Sequence, residues 1–180
     1  MANLKPPVSE LDHIKGNPGA SAQLVEYGDF QCPHCGAAHP IIKEVEKHFG
    51  DKLCFIFRHF PLSESHPFAQ AAAVASEAAS NQGKFWEMHD MIYENQENLN
   101  PATLLLIAGT LKLNMKVFQH DIQDQQLFEK VESNFESGIL SGVNGTPSFY
   151  INGFQHYGPY EYHALVNAIN YALTHPKVSK

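Results

Sequence analysis

The chain has 180 residues, 43% of them hydrophobic, and a formal charge of −7 with histidine neutral. That length suits one domain or one domain with a large insertion, and the apolar share is enough for a buried core. With no Lys/Arg cluster set against the acidic balance, nucleic acid and anionic membrane surfaces are excluded as main partners, and no stretch is as long and apolar as the ~20 residues of a bilayer span.

Residues 1–21 contain Pro6, Pro7, Gly16, Pro18 and Gly19 and read as an extended arm with a turn. The segment Met1–Pro7 lacks the apolar core of a secretory signal. The sequence as it stands is therefore expected to be cytoplasmic; a periplasmic or other extracytoplasmic domain with its signal peptide removed would read the same. Gln23–Tyr27 is a short apolar run between turn residues and predicts the first core strand. From Pro33 the period changes: Ile41, Ile42, Val45 and Phe49 recur at helical spacing, with Lys43, Glu44, Glu46 and Lys47 between them. Pro33 suits the first helical turn, where its missing N–H costs nothing. Pro40 predicts a kink, and Gly50 the end.

Lys52–His59 predicts a second, nearly all-apolar strand, covered on both faces. Strand, helix and strand within about 35 residues form a βαβ unit, so the two strands should be parallel. From Pro61 to about Ser141 the pattern is helical throughout, with Asn100-Pro101 and Asn114 as helix starts. Asn152-Gly153 between Ser148–Ile151 and Phe154–Tyr157 predicts a β-hairpin. Tyr160–Thr174 predicts a closing helix, ended by Pro176. The expected architecture is α/β, one domain over residues 1–180, with its core over about 12–60 and 142–175 and a helical insertion over about 61–141.

Cys32-Pro33-His34-Cys35 follows the first strand and opens the first helix. At a helix N-terminus, free backbone N–H groups and the helix dipole favour an anion, so the Cys32 thiolate should be stabilised. Cys35 lies one turn on, in reach of a small disulfide with Cys32, and His34 can add positive charge beside the same sulfur. A stabilised thiolate favours the reduced form and makes the disulfide more oxidising. A pKa falling from ~8.5 to ~5.5 is worth roughly 2 kcal/mol at pH 7, or about 45 mV. Cys54, inside the second strand, reads as a small buried hydrophobe.

A Cys-x-x-Cys pair is also half of a zinc site. His39 falls on the same helical face as residues 32 and 35, but a fourth ligand is missing, so no metal is expected. Thr146-Pro147, between a Gly-rich loop and a strand, fits either a trans proline in a turn or a cis proline placed opposite the cysteines. Glu26, within an apolar strand, either faces solvent or is buried; buried, its pKa would rise and it could exchange a proton with Cys35.

Glu26, Asp29-Phe30-Gln31-Cys32-Pro33, the following His34-Cys35 and Gly145-Thr146-Pro147, separated by a helical block, resemble the DsbA-like thiol:disulfide oxidoreductases of the thioredoxin superfamily. The resemblance covers about residues 12–175. It implies a thioredoxin-like fold with an inserted helical subdomain, Cys32 as nucleophile and Cys35 as resolving thiol. Pro33 and His34 would tune the potential, and Glu26 would be the buried carboxylate. Thr146 would offer backbone hydrogen bonds to an extended substrate strand, with Pro147 in cis. The implied partners are protein or peptide thiols and disulfides and a redox recycling partner, with no cofactor beyond the cysteine pair. The competing reading is a non-redox peptide-binding, chaperone-like module on the same fold. A glutathione-linked transferase is disfavoured by the second cysteine.

Overall fold

A computed structural model describes residues 3–175. Among them are five strands, β1 (His13–Gly16), β2 (Ala22–Gly28), β3 (Leu53–His59), β4 (Ser148–Ile151) and β5 (Phe154–His156), and seven α-helices. The strands form one sheet in the order β1-β3-β2-β4-β5. β2 and β3 pair in parallel across the helix α1 (Pro33–Phe49), the βαβ unit expected. β4 and β5 join antiparallel through Asn152 (φ +48°) and Gly153 (φ +81°), both in the left-handed region that a two-residue hairpin turn requires.

Alternation along the strands sorts side chains to two faces. Leu24, Phe55, Phe57, Phe149 and Ile151 enter one core cluster with α1, the helical block and α7 (Tyr162–Thr174). Val25, Tyr27, Cys54, Ile56 and Tyr150 enter a second, under Leu4 of the N-terminal arm and Phe60. Both faces are covered, so β2 and β3 are buried almost end to end. Glu26 shares its face with Leu24 and is therefore forced into the interior. Cys54 is buried, as expected of a small apolar side chain.

Between β3 and β4 run α2 (Ala69–Ser80), α3 (Phe85–Glu94), α4 (Pro101–Thr110), α5 (Met115–Asp121) and α6 (Gln125–Ser141). The Asn100 side chain accepts the N–H groups of Ala102 and Thr103 at the start of α4, and Asn114 does the same for Lys116 and Val117 at α5. Gly142, with φ of +92°, ends α6 and turns the chain into the loop before β4.

The sequence reading differs from the structure in its first 21 residues. These contain strand β1, which pairs antiparallel with β3. Four residues, His13-Ile14-Lys15-Gly16, are too few to display a period, and only the edge of β3 makes them a strand. The buried Arg58 helps to fasten this segment: its guanidinium donates to both Asp12 carboxylate oxygens and to the Pro6 and Pro7 carbonyls. Pro40, the expected kink, lies within α1, which runs from Pro33 to Phe49 as a single helix. The closing helix starts two residues later than expected, and its proposed stop at Pro176 lies outside the described residues. No helix among the described residues is long and apolar enough to cross a membrane.

Candidate active site

Cys32 is the N-cap residue of α1, with extended backbone (φ −69°, ψ 121°), and Pro33 takes the first helical position. Cys32 and Cys35 are both buried free thiols. The Cys35 thiol hydrogen-bonds the Cys32 sulfur; with the Thr146 side chain and the amides of Cys35 and His34, it outweighs burial and brings Cys32 down to about 5. At Cys35 burial is the largest influence and is not outweighed. Together with its bond to Cys32 and the charges of Glu26 and Cys32, it pushes that thiol well above its ordinary value. One helical turn thus holds an acidic sulfur and a reluctant one. Pro33 and His34 between them are exposed, and His34 Nδ1 lies 3.5 Å from the Tyr160 hydroxyl.

The loop feeding α1 is fixed by Asp29, which the sequence reading places in a motif without giving it a role. Asp29 is buried, and its Oδ1 accepts the N–H groups of Gln31 (2.7 Å) and Cys32 (3.2 Å). Its Oδ2 accepts Leu62 N–H (2.8 Å) and bonds His66 Nδ1 (2.7 Å), both beyond β3. A buried carboxylate survives with partners of this number and quality. Two glutamines tie the same loop to the helical block. Gln31 accepts Phe68 N–H (2.7 Å), and Gln96 donates to the carbonyls of Phe30 (2.8 Å) and Cys32 (2.9 Å). Asp29 had a usable signal, an Asx turn after a strand. Gln96, 64 residues from Cys32, had none.

Across from the dithiol, the Thr146–Pro147 peptide is cis. The loop ending in it brings the Thr146 carbonyl to 3.4 Å from the Cys32 sulfur, which donates to it. Ser148 Oγ donates to Gly145 O (2.7 Å) at the loop's exit.

Glu26 is buried, and one of its carboxyl oxygens has no hydrogen-bond partner. Burial, then the Cys32 charge, push it up to about 8, so it holds a proton near neutrality. Tyr93 of α3 is buried nearby; a Cβ on Gly28 would run into the buried Phe57 ring and stand 3.0 Å from the Tyr93 hydroxyl, so position 28 favours glycine. His39 stacks on the Tyr93 ring (centroids 5.1 Å) and faces His89 and Asp90. Among the described residues, the groupings able to hold a metal are His39-His89-Asp90 and His13-His59-Glu77, and neither includes Cys32 or Cys35. The Cys-Cys-His cluster considered from the helical face is thus not assembled. In the second grouping Lys130 Nζ lies 2.6 Å from Glu77 and 3.3 Å from His13, so an ammonium already fills a cation's place.

The family model described as thioredoxin matches residues 9–171. The chain is 41% identical over 160 residues to the Na(+)/H(+) antiporter NhaA 3 of Salinispora tropica, a match covering 89% of this chain and 24% of that protein. A match to NhaA 1 of Salinispora arenicola is also 41% identical and covers 91% and 25%. The chain therefore spans about a quarter of the length of the curated relatives it matches. Among solved structures, oxidised BdbD of Bacillus subtilis superposes with a TM-score of 0.84 at 22% identity, covering 94% of this chain and 96% of that one. The alpha-DsbA1 of Wolbachia pipientis gives 0.82 at 24%, covering 97% and 96%. At these identities the two likenesses establish the fold.

Proposed function

The chain belongs to the thioredoxin family, with a DsbA-like architecture, and we propose that it is a thiol–disulfide oxidoreductase exchanging a Cys32–Cys35 disulfide with protein or peptide dithiols. The observation that carries this reading is the contrast between the two sulfurs. Cys32 ionises at about 5, whereas burial holds Cys35 well above an ordinary thiol. The nucleophile of thiol–disulfide exchange is a thiolate, and the lower-pKa sulfur is the better leaving group.

In the oxidising direction a substrate thiolate attacks the Cys32 sulfur and the Cys32–Cys35 bond breaks. Cys35 departs as a thiolate and takes up a proton, for which the neutral Glu26 carboxyl is the buried donor. The second substrate thiolate then attacks the substrate sulfur of the mixed disulfide and expels Cys32 as a stable thiolate. The substrate loses two electrons, the protein gains them, and a recycling partner with its own thiol–disulfide couple removes them. The reverse sequence reduces a substrate disulfide; the partner and its compartment set which direction prevails. Pro33 and His34 are the exposed residues flanked by the sulfurs. The Thr146–Pro147 loop is where an extended substrate strand would run, beside Cys32. No step requires a metal or an organic cofactor. The antiporter names belong to proteins about four times as long, and this reading takes no activity from them.

Three measurements test it. Equilibration in glutathione buffers should yield a defined reduction potential for the Cys32–Cys35 pair. Reduced Cys35→Ala protein should trap substrates that carry disulfides as mixed disulfides at Cys32, and Cys32→Ser should abolish insulin reduction. A pair that never joins, or a Cys32→Ser protein as active as the wild type, would overturn the proposal in favour of a non-redox peptide-binding module.

A further inference from the structure

We propose that Gln96 is a positioning residue for the Cys32 sulfur, a side chain of the helical block whose amide sets how strongly the site favours thiolate over disulfide. The inference rests on the redox reading above and assigns a residue that acts through Cys32.

Gln96 opens a 3-10 turn, Gln96–Asn98, between α3 and α4. Its Nε2 donates to Phe30 O (2.8 Å) and to Cys32 O (2.9 Å), so a single amide group spans the two carbonyls that bracket Gln31. The Cys32 carbonyl also accepts Gly36 N–H at 3.1 Å, the first bond of α1. A Cβ at position 36 would run into Gln96 Oε1, so this seat exists because residue 36 is glycine.

The consequence is electrostatic. The carbonyl oxygen of Cys32 is a fixed negative pole in the same residue as the sulfur that must carry a negative charge. A second donor on that oxygen offsets its negative end and adds a positive pole to the loop. It also pins the peptide plane on which the N-cap geometry of Cys32 depends. The disulfide form has no charge on Cys32 and gains much less from this arrangement. An interaction that differs between two states moves the equilibrium between them, whereas one felt equally by both changes only fold stability.

The test uses the full chain and three variants. Gln96→Met keeps the length of the side chain and removes both donors. Gly36→Ala leaves Gln96 intact but blocks its seat, and within a helix it favours folding. The third combines them. Either single change should lower the thiolate-to-thiol ratio of Cys32 at a given pH by about three- to tenfold, the factor for one ordinary hydrogen bond. The equilibrium with glutathione should shift toward oxidised protein by a similar factor. Because both changes break the same interaction, the double variant should shift no further than either alone. If Gln96→Met melts lower yet titrates Cys32 and equilibrates with glutathione as the wild type does, Gln96 only holds the fold and the inference is wrong. Additive shifts in the double variant would also refute it. If Gln96→Met does not fold, Gly36→Ala decides the question alone. A wild-type Cys32 that titrates as an ordinary thiol would overturn the proposed function instead, whatever the variants do.

Discussion

The Cys32 sulfur meets the carbonyl oxygen of Thr146 at 3.4 Å, across 114 residues of sequence. The same threonine's hydroxyl is buried without a partner, and its side chain is among the groups that lower Cys32. While Cys32 is a thiol it donates to the backbone; once ionised, it can accept from the hydroxyl. Thr146→Val keeps the shape and deletes that donor. A hydrogen bond to a charged group contributes about 1.5 kcal/mol or more, so the Cys32 pKa should rise by about one unit. Ultraviolet thiolate absorbance against pH measures it, and an unchanged midpoint would remove Thr146 from the stabilisation of the sulfur anion.

Alkylation should single out one cysteine. Cys32 ionises at about 5, while burial raises both Cys35 and Cys54. In reduced protein the iodoacetamide rate should follow a single titration with its midpoint near pH 5 and level off by about pH 7, with mass spectrometry locating the label on Cys32. The largest stabilising contact on Cys32 comes from Cys35. In Cys35→Ala the midpoint should therefore move upward.

Glu26 and Cys32 give stability opposite pH dependences. Glu26 is raised from 4.5 to about 8, so between those values the folded state binds a proton that the unfolded state has lost. Stability from this group is complete below pH 4.5 and falls by about 1.4 kcal/mol per pH unit up to 8. Cys32 is lowered from 9.0 to about 5, so its contribution grows with pH from 5 to 9 at the same rate. Burial also lowers His13, His39 and His89, which adds stability as pH rises to about 6.5, so the comparison is made from pH 6.5 to 8, where reduced wild-type protein should show the Glu26 and Cys32 trends nearly cancelling. Over that range oxidised protein, without the thiolate, should lose stability as pH rises, and reduced Glu26→Gln should gain it. Urea denaturation at several pH values decides this; a Glu26→Gln curve parallel to the wild type's would mean the carboxyl is ionised as readily folded as unfolded.

Asp29 ties the entry of α1 to the chain beyond β3 through four hydrogen bonds. Asn in its place has one acceptor oxygen, and its NH2 would face groups that donate. Asp29→Asn should cost about 2–4 kcal/mol of stability, seen as a lower thermal midpoint in both redox states. Loss of stability in only one of them would mean that Asp29 acts on the sulfur rather than on the loop.

How far the sequence could be read depended on whether the deciding contacts were local. The strand-to-helix passage into Cys32-Pro33-His34-Cys35, the Asn152-Gly153 hairpin and the Asn100 and Asn114 caps are settled within a few residues, because backbone conformation and the nearest hydrogen bonds fix them. The motif order also made the family legible. Glu26 stood at the limit: its buried place follows only once both faces of β2 are known to be covered.

By itself, then, the sequence determined the elements from the first core strand onward, their order and the position of the dithiol at a helix start. The tertiary structure alone decided that β1 completes the sheet edge, that the Glu26 carboxyl is buried near the sulfurs, and that Thr146 and Gln96 reach Cys32 from 114 and 64 residues away. Those features depend on which surfaces meet when the chain collapses. No window of neighbouring residues encodes that, because burial and long-range hydrogen bonds come into being only when separate segments share the same space.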